Sequence, residues 1–351
     1  MKVWIDILHT PQFNFYKNLI AALSSRGSEV LVTVLGRGKL PLIAKEELAG
    51  MKNVTVETIG RHRMTKFSAI IEANLLRFFQ LFIWGMLHKF DIAFSNGRQC
   101  CEIARLKRKP YSSFEDDPQS LDSKLKTVFG TKEYLCVYQL KDGETRRNNM
   151  SVLPVLKEWA YLNEKLFRPD SSVLSDYGLK PYAYLFFREV SVGTINYAGQ
   201  APDSILQMAN AVPVDMPVLL SLEKKTNRSL YPKHWILLQE PVKDIHSLIY
   251  YSCGLVSSGD SMAREAALLG IPAYYLGIRY DMPANLAAAE IAYFSNRRTI
   301  SIDQWLKKVI MEKQEVAKHQ AEIRASLSTK FIDINSFMLD IVEQNRRISK
   351  A

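Results

Sequence analysis

The stretch of this 351-residue chain richest in chemistry is Leu255–Leu276, LVSSGDSMAREAALLGIPAYYL. An apolar, strand-like run ends at Ser257, a turn of small residues follows (Ser258, Gly259, Asp260, Ser261), and a helical pattern continues through Met262. A helix starting there presents unpaired N–H groups and the positive end of its dipole, which together suit a diphosphate. Gly259 lets a ligand come close to the backbone. Glu265 lies one helical turn further on, where a carboxylate can accept from the paired hydroxyls of a ribose. The same residues also describe an N-capped helix carrying a surface glutamate, since Asp260 and Ser261 are ordinary caps.

Acid–base candidates sit elsewhere. Asp6 ends the first strand-like run and His9 follows it, where a group could take a hydroxyl proton; His9 equally fits a hydrogen-bonded loop histidine. Glu115-Asp116-Asp117 follows another strand, and neighbouring acids can shift each other's proton affinity and divide acid and base roles; they also fit a loop capped before Pro118. Arg188 offers a fork suited to phosphate, or a surface arginine at a strand end. There is no Walker A, no G-x-G-x-x-G after the first strand, no H-E-x-x-H and no G-x-S-x-G. Six histidines and four cysteines show no zinc spacing, so no metal or bound cofactor is expected.

The elements that must position these residues alternate short β-rich runs with helical patterns, which predicts parallel strands joined by crossovers. In the first half, strands are expected at Val3–Leu8, Val30–Leu35, Val54–Ile59, Asp91–Ser95, Tyr111–Phe114 and Tyr134–Val137, with a helix over Phe13–Ser25. In the second half, Tyr182–Phe187, Val218–Leu222, Trp235–Leu238, Gly254–Ser257 and Ala273–Leu276 suit buried parallel strands, and Ser261–Leu269 a helix. The change to polar, turn-prone residues over Tyr161–Asp176 marks a boundary. The expected domains are 1–165 and 166–330, with an amphipathic helix in 331–351 packing on either. A cleft between two such domains is the default ligand site. Leu75–Leu87, LLRFFQLFIWGML, is apolar almost all round, with Arg77 and Gln80 on a narrow polar side that also carries Trp84. It reads as a buried helix, or as a membrane-facing patch too short to span a bilayer.

With 47% apolar and 23% charged residues, the composition is that of a globular protein with a full core. The cysteines are too few and badly spaced for a disulfide scaffold, and the opening MKVWIDILH goes directly into a strand without a leader pattern, so the cytoplasm is the expected location. A net charge of +10 reads first as a solvated basic surface, and after that as attraction to anionic lipid, phosphates or nucleic acid. Its cations are scattered, clustering only at Arg105–Lys109 and Arg146–Arg147, and without a nucleic-acid motif no nucleic-acid partner is expected.

The segment S-G-D-S-M-x-R-E-A-A-L-L-G-I-P resembles the nucleotide-sugar segment of the GT-B superfamily, and of MurG-like transferases in particular. MKVWIDILHTPQFNFYKNLI resembles the opening of the family termed domain of unknown function 354, as do Ser95-Asn96-Gly97-Arg98 and the residues Lys157, Glu158, Tyr161 and Leu162. The resemblance implies an α/β GT-B fold of two Rossmann-like domains with parallel sheets facing across a cleft. Through it, Gly259, Asp260 and Ser261 would hold phosphate, with Ser258 and Met262 in the same nucleotide-sugar site, Glu265 the ribose, Arg188 a further phosphate oxygen, and Gln239–Ile245, including Val242 and Ile245, the base. Gln12, Asn96, Gly97 and Arg98 would form acceptor-side loops. Gln12 and Asn14 stand where the family carries histidines, so His9 is the substitute base. Non-hydrolysing UDP-sugar epimerases place a catalytic carboxylate where Glu115 and Asp116 fall, although FFREV replaces their H-R-x-E-N run. The function implied is a glycosyltransferase taking a nucleotide sugar, UDP-linked, to a glycan or lipid-linked acceptor in envelope or polysaccharide synthesis, with peripheral contact at the inner face of a membrane through Leu75–Leu87. The rivals are a UDP-sugar epimerase or hydrolase and a non-enzymatic binder of sugar nucleotides or polymers.

Overall fold

The computed structural model describes residues 1–61, 75–128, 131–140, 148–192, 199–239, 242 and 244–348. The chain divides into two compact units, one of Met1–Tyr161 with Phe331–Ala351, the other of Leu162–Lys330. The division thus falls four residues before the expected 165/166, and the 331–351 segment belongs with the first unit.

The first unit is built on seven strands in the order β3-β2-β1-β4-β5-β6-β7. They are β1 (Lys2–Ile7), β2 (Glu29–Gly36), β3 (Val54–Arg61), β4 (Ile92–Ser95), β5 (Tyr111–Glu115), β6 (Glu133–Cys136) and β7 (Met150–Leu153), and every pairing is parallel. A parallel strand covered by helices on both faces must be apolar throughout, and β1 is buried from Val3 to Ile7. Its one indole nitrogen is accommodated by a hydrogen bond from Trp4 Nε1 to Thr33 Oγ1 at 2.9 Å. The helices are α1 (Thr10–Ser25), α2 (Leu40–Glu47), α3 (Arg77–Leu87), α4 (Arg98–Leu106) and α5 (Leu121–Val128). Pro11 in the first turn lets α1 begin three residues before its apolar pattern does, with His9 as the extended N-cap residue. Strand β7, MSVL, was not expected from sequence, being short and only partly buried.

Helix α3 corrects an expectation. Arg77 lies on its buried side, only 2% exposed, together with Leu81, Trp84 and Gly85. Trp84 packs on Trp4 at 5.2 Å between ring centroids. The arginine is tolerated there because it is paired (below). The helix is therefore neither buried all round nor polar at Arg77 and Trp84; its exposed side is apolar apart from Gln80.

The second unit carries six strands in the order β10-β9-β8-β11-β12-β13, all parallel. They are β8 (Leu185–Glu189), β9 (Val218–Leu222), β10 (Ile236–Leu237), β11 (Gly254–Ser257), β12 (Ala273–Tyr275) and β13 (Phe294–Asn296). Strand β8 starts three residues later than Tyr182–Phe187 predicts, because Tyr182 has φ 57° and cannot sit in a strand. Arg188 and Glu189 consequently end the strand instead of following it. Helices α6 (Ile245–Tyr250), α7 (Asp260–Leu268), α8 (Pro283–Ile291), α9 (Ile302–Met311) and α10 (Val316–Lys330) complete the unit. Gly270, at φ +77° just past α7, is required twice over: a Cβ there would stand 2.8 Å from the Gln320 backbone.

The chain ends with α11 (Ile334–Ile348), which packs on the first unit. Asn335 donates to the Ala160 carbonyl at 2.8 Å and Arg346 to Ser28 Oγ at 3.1 Å. Among the described residues no helix is long and apolar enough to cross a membrane.

Candidate functional site

In each sheet the strand order reverses once, between β1 and β4 in the first unit and between β8 and β11 in the second. Loops leaving the carboxyl ends of such strand pairs diverge and open a crevice, where ligands bind in open α/β sheets. Most of the sequence-predicted residues lie at these two edges.

At the first edge, the β1–α1 loop is closed by Gln12, whose Oε1 accepts from the Leu8 N–H at 2.8 Å. Gln12 thus fixes the loop that carries His9. Gly97 meets this loop from β4: a Cβ on it would lie 2.8 Å from Leu8 Cδ1, so only glycine lets the two loops touch undisturbed. Ser95 Oγ donates to the Asp6 carbonyl at 3.1 Å and accepts from the Gly97 N–H at 2.8 Å. The Asn96 side chain beside it is 3% exposed, with neither its oxygen nor its nitrogen hydrogen-bonded. An orphaned amide is costly to bury, and a ligand hydroxyl is the kind of group that satisfies it. Arg98 pairs with Glu102 at 3.4 Å.

Asp6 is placed differently from a catalytic acid. It is fully buried, and its Oδ1 accepts from Arg77 at 2.7 Å and from Thr33 Oγ1 at 2.6 Å. Arg77 also donates to Gln99 Oε1 and to the Ile59 carbonyl. Asp6 therefore positions α3 and its own strand end.

Glu115 closes β5 and meets Lys126 of α5, a fully buried lysine. Lys126 Nζ donates to Glu115 Oε1 at 2.5 Å, to Ser113 Oγ at 2.8 Å and to the Asn96 carbonyl at 2.6 Å. Burial pushes the Glu115 carboxyl up to about 7, against the pull of Lys126 and Lys157 and with help from Asp116. Asp116 pairs with Lys157 at 2.9 Å. Burial alone would lower Lys157, but Asp116 and Glu115 hold it above its ordinary value. His9 belongs to the same field: enclosure of its ring lowers it to about 3, and the charges of Lys157 and Arg37 add to that while Asp116 opposes it. The structure thus unites His9, Glu115 and Asp116, and adds Lys126 and Lys157. Lys157 was visible only as part of a family motif, and Lys126 had no signal, being one lysine among several on an amphipathic segment.

At the second edge, α7 begins at Gly259 in an extended conformation. Ser257 Oγ accepts from the Gly259 N–H at 3.0 Å. Ser258 is buried and stitches two strand ends together: its Oγ accepts from the Val190 N–H at 2.9 Å, and its own N–H donates to the Arg188 carbonyl. Asp260 is buried too, accepting from the Ser261 N–H at 2.9 Å and pairing with Arg279 at 3.1 Å and Arg264 at 3.6 Å. As an anion it repels phosphate; its place is to bring Arg279 to the start of α7, a residue not singled out in the sequence. Ser261 and Met262 are half-buried in the first turn. Glu265 is buried beside His246 of α6, with Oε1 3.4 Å from Nε2. Arg188 donates to Ser221 Oγ at 3.0 Å. Val242 and Ile245 are half-buried ahead of and at the start of α6, whereas Glu240, Pro241 and Lys243 of the same expected loop lie outside the described residues. Among the described residues no three His, Cys, Asp or Glu side chains cluster as metal ligands would.

Two parallel α/β units of this kind define a class, and solved structures share it over the whole chain. The glycosyltransferase of kitacinnamycin is similar at a TM-score of 0.63 and 11% identity, with 98% of each chain covered. The glycosyltransferase VinC in complex with dTDP gives 0.61 and 11%, over 99% of this chain and 100% of that one. The UDP-GlcNAc 2-epimerase from Neisseria meningitidis bound to UDP-GlcNAc gives 0.60 and 13%, over 98% and 99%. The fold is of the GT-B type. Within it, residues 1–96 match the family described as "Protein of unknown function (DUF354)". No protein of curated function matches the sequence.

Proposed function

We propose that this protein is a glycosyltransferase that takes a nucleotide-sugar donor, UDP-linked, and passes the sugar to a hydroxyl of a glycan or lipid-linked acceptor. Envelope or polysaccharide synthesis in the cytoplasm, at the inner face of a membrane, is the setting that fits. The observation that carries the reading is the second sheet edge, where a small-residue turn opens α7 with buried Glu265 one turn inside and Arg279 held at the helix start. The donor diphosphate would lie on the first turn of α7, around Gly259, Ser261 and Met262, with Arg188 and Arg279 as cationic partners. Glu265 would accept from the ribose, and backbone near Val242 and Ile245 would frame the base. Negative charge growing on the leaving diphosphate is stabilised there by a dipole and cations already oriented for it.

Attack by the acceptor hydroxyl on the anomeric carbon forms one C–O bond and breaks the bond to the diphosphate. The hydroxyl proton goes to Glu115, whose affinity near 7 suits a base working at neutral pH. His9, neutral under those conditions, orients the acceptor with Asn96. The Glu115–Asp116 pair also favours a second reading, a UDP-sugar epimerase or hydrolase using both acids on the donor itself.

The test is thermal-shift screening against UDP, GDP, CMP, dTDP and their sugars, with Glu265→Gln as control, followed by product analysis. A nucleotide-specific stabilisation lost in the variant supports the donor site, because selective binding to the native state raises its apparent stability. No stabilisation by any nucleotide at millimolar concentration sinks transferase and epimerase readings together and leaves a binding protein for some other ligand. Sugar released or epimerised without an acceptor favours the second reading.

A further inference from the structure

The outward face of α3 carries Phe79, Ile83, Met86 and Leu87, all at least half exposed, with Phe79 at 57% and Leu87 at 77%, and Leu76 just ahead of the helix is 49% exposed. Steps of three or four residues from Leu76 through Phe79 and Ile83 to Met86 and Leu87 make one stripe along the helix, with exposed Gln80 at its edge. This is not the unfilled half of a core. The opposite face is already packed, with Leu81 and Trp84 in a cluster with Trp4, Phe90 and Ile103. It is also locked: Arg77 is ion-paired to buried Asp6, so α3 cannot roll its stripe inward without stranding two charges.

Cationic residues border the stripe. Lys107 Nζ donates to the Gly85 carbonyl at 2.6 Å and the His88 carbonyl at 2.7 Å, which brings the end of α4 against the end of α3. Arg105, Arg108 and Lys109 flank Lys107 in the chain and Lys89 follows Leu87 by two residues, so cations gather towards this end of the stripe, together with Leu106, itself 65% exposed. Lone exposed apolar residues need no explanation, but a stripe of four on one short helix, extended by Leu76 and with cations at its end, does.

We infer that the α3 stripe and the Lys89/Arg105–Lys109 border form a docking face for an anionic lipid bilayer. Eleven residues of helix cover about 16 Å and cannot span a membrane, so the helix would lie in the interface plane, stripe in the acyl boundary and cations on the headgroups. A second copy of this chain fits less well, because a parallel two-fold contact through the stripe would bring the two basic borders together and an antiparallel one would leave them without an anionic partner. The inference does not rest on the transfer chemistry. It adds one structural consequence: through Arg77 and Asp6 the docked helix is tied to the strand whose end carries the His9 loop.

The test is flotation of the full chain with vesicles of phosphatidylglycerol and phosphatidylcholine, and with phosphatidylcholine alone. The wild type is expected to float with the anionic vesicles and much less with neutral ones. Phe79→Ser/Ile83→Ser and, separately, Arg105→Ala/Arg108→Ala should each lower the bound fraction about tenfold or more. All four positions are exposed, and an unchanged melting temperature and nucleotide-induced shift would confirm that folding and the donor site are untouched. Failure of the wild type to bind anionic vesicles overturns the inference, as does binding that survives Phe79→Ser/Ile83→Ser. So does a dimer that this variant dissociates in the absence of any vesicle binding.

Discussion

The carboxyl edges of the two sheets share a topology but use charge in opposite ways. At the first edge, Glu115–Lys126 and Asp116–Lys157 pair acids with lysines in a buried setting, and the consequence is displaced proton affinities: Glu115 up to about 7 and His9 down to about 3. At the second edge, Asp260–Arg279 and Glu265–His246 surround a helix start made of small residues. An edge of the first kind is suited to moving a proton, and one of the second kind to holding an anion. The lesson is that fold position locates a site while the partners of its charged groups decide what it can do.

The largest effect that would break this contrast is on activity. Glu115→Gln should lower transfer by about 10²–10⁴-fold while leaving the nucleotide-induced thermal shift intact. The wild-type kcat/KM should rise with pH through about 7, where Glu115 loses its proton, and the variant's residual rate should lack that limb. A variant that keeps its rate while His9→Asn loses it would move the base to His9.

Next in size is stability at the same edge. Lys126→Met removes one partner of a buried pair and should cost about 3–5 kcal/mol in urea unfolding. Adding Glu115→Leu to it should recover part of that loss, because the stranded carboxylate is then gone, although the Asn96 carbonyl and Ser113 remain unpaired. If the double variant is no better than the single, the loss lies in packing and the edge is not the charge network described above.

The second edge should answer to affinity instead. Glu265→Gln keeps size and burial but loses the charge that accepts from a ribose, and should weaken nucleotide binding about tenfold, or about 1.4 kcal/mol, with the transfer pH profile unmoved. An equal change in the pH profile would mean that the two edges do not divide the work.

How much of this was legible in the sequence follows from the range of the interactions. Parallel strands such as Val218–Leu222 and Gly254–Ser257 carry their own burial as an apolar run, and both were read to the residue. Strands β7 and β13 owe their existence to neighbours in the sheet, β7 being four residues of which only Leu153 is buried and β13 three residues of which only Phe294 is apolar. The turn from Ser258 to Ser261 announced itself because a strand, small residues and a helix start are contiguous. Arg77, Lys126 and His246 did not, because each gains its meaning from a partner at least 11 residues away: Asp6, Glu115 and Glu265. The arginine partners of Asp260 are hidden in the sequence for the same reason, being supplied by the fold.

In the wild type the smallest expected effect comes from proton linkage at the first edge, where two shifts oppose each other. His9 has its affinity lowered from 6.5 to about 3 on folding, so it stabilises the native state above pH 6.5 and withdraws that support as pH falls toward 3. Glu115 is raised from 4.5 to about 7, so the native state holds its proton longer than the unfolded chain and loses stability as pH rises from 4.5 to 7. Between 4.5 and 6.5 the two slopes oppose each other, and the wild-type urea midpoint should change little on their account. His9→Asn should unmask a midpoint that climbs as pH is lowered from 7 to 4.5, and Glu115→Gln one that falls steadily from 6.5 toward 3. Parallel profiles in the two variants would show that these groups do not share one buried field, and the contrast between a proton-moving edge and an anion-holding edge would lose its first half.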